Sequence, residues 1–532
     1  EFSQLFFTVI CISHYFSTIR KFLYRIKIRC GWNDVGFHGL NNIGTPNIDA
    51  LAASGVILQH QYVMPICTPS RSALMTGKHP VHLGMQHGVL YGMNRRGLPL
   101  SEKLLPQYLK DLGYKTHLVG KWHLGSFKKE YLPLYRGFDS HLGYWTGKID
   151  MYDHTNAEQN VWGFDFWRGF DPAYDLFGHY ATDVYTTEAV RIINSHNKSQ
   201  PLFLTVAHSA VHSGNPAEPI RAPDAGIAKL DHIPDYQRRK FGAVLTKLDE
   251  SVGKVVEALS KRDLLNNSVI LFTTDNGGVP AGFNDNAGSN YPLRGVRNTL
   301  WEGGVRGAAA LWSPLLAARP RVASQRVHFV DWLPTLLSAA GGDPSQLRDG
   351  DGVDQWQALS EDRPSPRNET LLNIDDVDWF AAILSGDWKL MQGTNYNGKW
   401  DDWYGPDGRQ GAYNMAAVYD SLAGKAIAEL NMIESATVRC EGGPTAECKP
   451  LDAPCLFNIQ EDPCERNNLA DKEPEILSSL MEALSRWRQS AVAPNLSKVD
   501  LCGDPKYWGH LYFNFGDFDH NETDYYVSLP FN

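Results

Sequence analysis

The chain has 532 residues, 43% hydrophobic and 21% charged, which is ample for a large core and two domains. A formal net charge of −10 excludes a globally basic, nucleic-acid-binding chain, so an anionic partner would have to meet a local cluster of cations. No uninterrupted apolar run is long enough to span a membrane.

Residues 1–30 form an atypical N-terminal segment. An apolar run over 5–12 precedes a basic stretch over 20–29, the reverse of a signal peptide, so no signal peptide is recognisable. Beyond residue 30, β-rich apolar runs alternate with helix-like segments. Strands are predicted at 56–58, 115–119, 202–207 and 269–273, and helices at 100–112, 182–195, 238–260 and 329–339. The alternation argues for α/β with a mostly parallel sheet. Residues 341–370 are rich in Gly, Asp, Pro and Ser and read as a boundary. A large domain over 31–370 and a smaller one over 371–532 are expected, the latter opening on a hairpin-like pattern at 381–390.

Five of the eight cysteines lie near the C-terminus: Cys440, Cys448, Cys455, Cys464 and Cys502. Spacing suits local disulfides Cys440–Cys448 and Cys455–Cys464, although sequence does not determine connectivity. Sequons start at Asn197, Asn266, Asn368, Asn495 and Asn521. Together these features favour an oxidising, secretory or lysosomal route.

The most informative stretch is Cys67-Thr68-Pro69-Ser70-Arg71, followed by Ser72-Ala73-Leu74-Met75-Thr76-Gly77-Lys78. At roughly 5% per named residue, Cys, Pro, Ser and Arg at these offsets arise by chance in about 0.003 of chains this long. Thr68 suits an N-cap, Pro69 the first helical position and Gly77 the residue just past the helix. Cys67 would then stand at the positive end of a short helix, where amide groups favour an anion.

Three predicted strands run into polar groups, and in open α/β sheets ligands bind beyond the strand carboxyl ends. The first leads into Gly120-Lys121-Trp122-His123-Leu124-Gly125, where Lys121 and His123 point the same way in extended backbone. Lysine supplies charge and histidine exchanges a proton, though a solvated Lys and a half-buried His in a turn would look alike. The second leads into His208-Ser209-Ala210-Val211-His212; no third His or Cys supports a metal site, and His208 reads as packing. The third leads into Asp275-Asn276-Gly277-Gly278, whose oxygens suit Ca²⁺ or Mg²⁺, although Asp-Asn-Gly is also a common turn.

The segment at 67–78 resembles the sulfatase signature, and these motifs follow in the order and spacing of that family. Gly31-Trp32-Asn33-Asp34-Val35-Gly36-Phe37-His38-Gly39 and residues 292–304 look most like the arylsulfatase B group. The resemblance implies an alkaline-phosphatase-like sandwich with a large, mostly parallel mixed sheet flanked by helices, plus a smaller C-terminal domain with an antiparallel sheet. It implies that Cys67 is converted to formylglycine by the formylglycine-generating enzyme, and that the hydrated aldehyde attacks the sulfur of a sulfate ester. By the same resemblance Arg71 orients the nucleophile and His123 assists its proton transfer. His212 protonates the leaving oxygen. Lys121 binds substrate sulfate, as does Arg297, where the family usually has lysine. Asp275, Asn276 and residue 67 bind the cation. The implied substrate is N-acetylgalactosamine 4-sulfate in glycosaminoglycans, or an aryl sulfate.

One departure stands out. Sulfatases carry two adjacent metal-binding aspartates just before the Gly-Trp, where this chain has Ile28 and Arg29. Either residues 1–30 are not the native start, or the metal site is defective. Retention of the other matched positions favours the first. The competing function is a non-catalytic sulfated-glycan-binding relative. A phosphoesterase of the same superfold is disfavoured, because those enzymes use unmodified Ser or Thr and two metals.

Overall fold

The computed structural model describes residues 6–8, 22–28, 31–280, 286–347, 349–427, 430, 436–440, 446–496 and 498–518, the first two segments by backbone only. Its frame is an eleven-stranded mixed sheet. From one edge the strands run Arg321–His328, Val56–Tyr62, Ala309–Trp312, Ser268–Thr274, Phe22–Ile28, Leu202–Ala207, Lys115–Gly120 and Ser140–Gly143, with two short strands closing the far edge and an eleventh, Phe6–Thr8, pairing antiparallel with Ser268–Thr274 off this path. The strands at 268–274, 22–28, 202–207 and 115–120 are mutually parallel, so their carboxyl ends share one edge.

The strands at 202–207 and 268–274 are largely apolar on both sides because both faces are covered. Leu204, Val206, Ile270 and Phe272 belong to one core cluster, with residues of helices Ala181–Ser195 and Tyr236–Lys261. The alternate residues Phe203, Ala207, Val269 and Leu271 belong to a second cluster, with residues of helices Cys67–Thr76, Leu105–Asp111 and Trp332–Ala339. The period-2 alternation of a strand therefore serves two cores at once.

Several predicted bounds shift. Strand 56–58 extends to Val56–Tyr62. Helix 100–112 contracts to Leu105–Asp111, since Pro106 is tolerated only in a first turn. Helix 329–339 begins as a 3₁₀ turn, Phe329–Asp331. Within 1–30, where no strand is predicted, Phe22–Ile28 forms a central parallel strand.

A separate four-stranded antiparallel sheet comprises Glu369–Asp375, Phe380–Ser385, Trp388–Gln392 and Cys455–Asn458, with helix Pro474–Ser490 against it. Its predicted hairpin turns through Gly386 at φ +52°, a left-handed conformation that suits glycine. The expected disulfide pairing is corrected: Cys440 joins Cys464 and Cys448 joins Cys455, with Cα separations of 6.0 and 5.8 Å. Strand Cys455–Asn458 lies antiparallel beside Trp388–Gln392, and its first residue meets Cys448 across a short loop. Sequence proximity alone does not carry that strand pairing.

The two sheets are joined by buried charge. Lys389 Nζ lies 2.9 Å from Glu302 and 2.7 Å from Glu465, and all three side chains are fully buried. Glu302 also accepts from the Tyr62 hydroxyl at 2.9 Å, at the end of strand Val56–Tyr62. Burial pushes the Glu465 carboxyl up to about 7, against the pull of Lys389. Lys389→Met strands Glu465 without its cation and leaves Glu302 only Arg306 at 3.5 Å, and is expected to cost about 3–5 kcal/mol in urea unfolding. A loss under about 1 kcal/mol would show that the pair is not what joins the sheets.

Candidate active site

Cys67 is the first residue of its helix and is fully buried. The predicted cap is corrected. Ile66, not Thr68, occupies the N-cap, and Thr68 instead accepts from the Leu90 amide at 3.2 Å. Pro69 sits third in the helix, where its missing N–H is still no loss. Gly77 ends the helix at φ +67° as expected.

Arg71, one turn along, is 2% exposed and reaches the neighbouring strand end. Its Nη1 donates to the carbonyls of Lys121 and Trp122 at 2.9 and 2.8 Å, and its Nε lies 3.7 Å from Asp275 Oδ2. Burial lowers the guanidinium to about 9, and Asp275 works against that shift. Ser70 binds the Asp275 carbonyl and accepts from the Met64 amide at 3.1 Å, so the helix also holds the third strand end.

Lys121 and His123 are buried, not solvated in a turn. Lys121 Nζ donates to the Gly147 carbonyl. His123 adopts φ +62°, a left-handed conformation costly for a non-glycine residue. Its Nε2 lies 2.8 Å from the Leu90 carbonyl, which can only accept, so Nε2 carries the hydrogen. Nδ1 then presents a lone pair and has no hydrogen-bond partner among the described residues. Burial, then Lys121 and Arg71, hold the imidazole well below its ordinary pKa.

Asp275, Asn276 and Arg297 are likewise buried. Gly277 is pressed against the downstream motif: a Cβ there would stand 1.7 Å from the Gly303 carbonyl oxygen. Asn290, absent from the predicted set, pins Gly278 by accepting from its amide at 2.6 Å. The Arg297 amide donates to the Gly278 carbonyl at 3.2 Å. Asn276 Oδ1 is a buried acceptor with no hydrogen-bond partner among the described residues, and oxygens such as those of Asn276 and Asp275 are of the kind that suit a hard divalent cation. Ile28 pairs in register with Thr274, which sets its backbone beside the Asp275 strand end; Arg29 lies outside the described residues.

His212 is 2% exposed and its Nδ1 faces the Ser213 carbonyl. His208 is a packing residue as read, bonded to Ser251 at 3.0 Å and edge-on to Tyr185. A further pair escaped the sequence reading. Asp34 accepts from the Gly31 and Ser289 amides at 2.6 and 2.9 Å and from Arg238 at 2.7 Å, bracing the backbone beside Asn290. No spacing rule links residues so far apart in the chain.

Arg71, Lys121 and Arg297 are thus three buried cations whose charges all act on His123, with Arg71 beside Asp275, in a chain of net charge −10. Such a cluster suits an anion held at a helix N-terminus. His123 is expected to stay neutral throughout pH 5–8. Nitrogen-15 histidine spectra should show its Nδ1 unprotonated over that range, and a protonation step within it would contradict the assignment.

A sulfatase family model matches residues 29–342. Mouse arylsulfatase J is 37% identical over 506 residues, covering 91% of this chain and 78% of that protein. Human N-acetylgalactosamine-6-sulfatase is 32% identical over 491 residues, covering 89% and 86%. The crystal structure of Ps i-CgsB superimposes with a TM-score of 0.70 at 25% identity, covering 88% of this chain and 92% of that one. The architecture is the alkaline-phosphatase-like sulfatase fold, with its separate antiparallel sheet. The chain belongs to the sulfatase family, whose members hydrolyse sulfate esters.

Proposed function

We propose that the chain cleaves sulfate esters with a formylglycine formed at Cys67, and that its substrate is N-acetylgalactosamine 4-sulfate within a glycosaminoglycan. The observation that carries this reading is the cluster of buried cations Arg71, Lys121 and Arg297 around His123, with Arg71 on helix Cys67–Thr76 one turn from Cys67. Formylglycine supplies a hydrated aldehyde that displaces the alcohol from sulfur and releases sulfate as the aldehyde reforms. Lys121 and Arg297 hold the sulfate oxygens, where fixed charge favours the transition state. Arginine at 297 adds a planar fork that lysine lacks. His123 takes a proton at Nδ1, the one position on its ring free to accept. Arg71 orients residue 67 through the carbonyls it grips, and His212 delivers a proton from Nε2 to the leaving oxygen.

Asp275, Asn276 and residue 67 would hold a divalent cation, which when bound polarises the sulfate. The catalytic unit is assigned to residues 31–370 and the smaller unit to 371–532. A secretory route to the lysosome or outside the cell accords with two disulfides and with four sequon asparagines, Asn197, Asn266, Asn368 and Asn495, all exposed. No helix among the described residues is long and apolar enough to cross a membrane.

Ile28 and Arg29, at the positions of two metal ligands, favour a second reading: a non-catalytic binder of sulfated glycans. Ca²⁺ takes about 6–8 oxygens, and this chain is short of two carboxylates. The Ile28→Asp, Arg29→Asp double variant is expected to bind Ca²⁺ at least about 100-fold more tightly than the chain as given, measured by titration calorimetry. It should also gain chelator-sensitive release of sulfate. Equal Ca²⁺ affinity in the two proteins would show that residues 28 and 29 do not stand at ligand positions. In that background, 4-sulfated and 6-sulfated N-acetylgalactosamine should be compared, since the human relative is a 6-sulfatase. Faster release from the 6-sulfate would replace the substrate proposed.

His212→Ala is expected to slow alkyl sulfate esters about 10–100-fold more than aryl sulfates, because a good leaving group needs little protonation. An equal loss on both would remove the general-acid role.

A further inference from the structure

A cavity of about 640 Å³ adjoins the catalytic residues, lined by Ile66, which precedes Cys67, and by Asn298, which follows Arg297. Its wall includes Arg96, a residue no motif singles out. Arg96 is 8% exposed. Its Nη2 donates to the Val89 carbonyl at 3.2 Å and its Nη1 to the Asn495 carbonyl, while Nε makes no hydrogen bond. No carboxylate pairs with it among the described residues. Arg238, Arg306 and Arg367 each have one, in Asp34, Glu302 and Asp331, whereas Arg136, like Arg96, is held by carbonyls but does not line this cavity. His87, also in the wall, already pairs with Asp375 at 3.0 Å, so that carboxylate is engaged elsewhere.

A desolvated guanidinium without a counter-charge is costly to bury. Here it faces a cavity large enough for a sugar residue. Tyr91 and Tyr396 supply flat walls there, the Tyr396 hydroxyl being fixed by Asn298 at 3.0 Å. Burial lowers the guanidinium's pKa, with no neighbouring acid offsetting it.

We infer that Arg96 determines specificity by binding an anionic oxygen group, a uronate carboxylate or a second sulfate, on the sugar next to the one whose ester is cleaved. The inference rests on the sulfated-glycan reading above. Its consequence is that the site selects a polyanionic oligosaccharide over a single sulfated sugar or an aryl sulfate.

Binding tests it without turnover. Three ligands are titrated into the full chain: a 4-sulfated N-acetylgalactosamine disaccharide bearing a uronic acid, its carboxyl-reduced form, and a carboxyl-reduced form bearing a second sulfate. The first should bind about tenfold more tightly than the second, as expected for a charge-assisted hydrogen bond. If the second sulfate restores the affinity, either anion serves; if it does not, the carboxylate is the group recognised. Arg96→Gln should abolish the difference, and Arg96→Lys should restore part of it. Equal affinity for all three ligands, no binding of any, or an undiminished difference in Arg96→Gln would overturn the inference. The comparison on the unmutated chain stands even if a variant fails to fold. Failure of the sulfatase reading would show separately, as absence of formylglycine at residue 67.

Discussion

Burying the cations Arg71, Lys121 and Arg297, whose charges converge on His123, is the constraint on which the rest of this structure depends. Cations in a low-dielectric interior are unfavourable unless something answers their charge. The chain answers in part with backbone carbonyls: Lys121 and Trp122 for Arg71, and Gly147 for Lys121. The cations' summed field favours an anion. Burial, aided by the same field, holds the His123 imidazole well below its ordinary pKa, so a base and buried cations coexist within one cluster.

That arrangement requires strand ends brought to one edge. Two of the four parallel strands deliver Lys121 with His123 and Asp275 with Asn276 from distant parts of the chain, and a helix delivers residue 67 and Arg71 to the same place. Glycine makes the closeness possible, since Gly277 lies where any side chain would collide with Gly303. The second sheet is held to this edge by the buried Lys389–Glu302–Glu465 group. Its hairpin at 375–380 supplies Val377 and Asp378 to the cavity wall.

Much of this was legible in the residues. Strand Leu202–Ala207 falls at its predicted bounds, because an apolar run buried on both faces has sharp ends. The polar groups after the strands were legible for the converse reason: charge beside such a run needs a partner. The central strand Phe22–Ile28 was not. Its alternation of apolar residues with Arg25 and Lys27 reads as a one-sided or basic segment, whereas a central parallel strand is normally apolar throughout. The N-cap at Ile66 was missed because it uses no side chain. Asp34, Asn290 and Arg96 escaped because their partners lie far away in sequence or are backbone atoms. Disulfide pairing escaped because it follows strand pairing and not spacing.

The account turns on residue 67 being a modified nucleophile at the head of a helix. The most direct measurement is the mass of the peptide containing it, after expression with the formylglycine-generating enzyme. The account predicts loss of sulfur and two hydrogens and gain of one oxygen at residue 67. Unmodified or disulfide-linked cysteine in every molecule would contradict it.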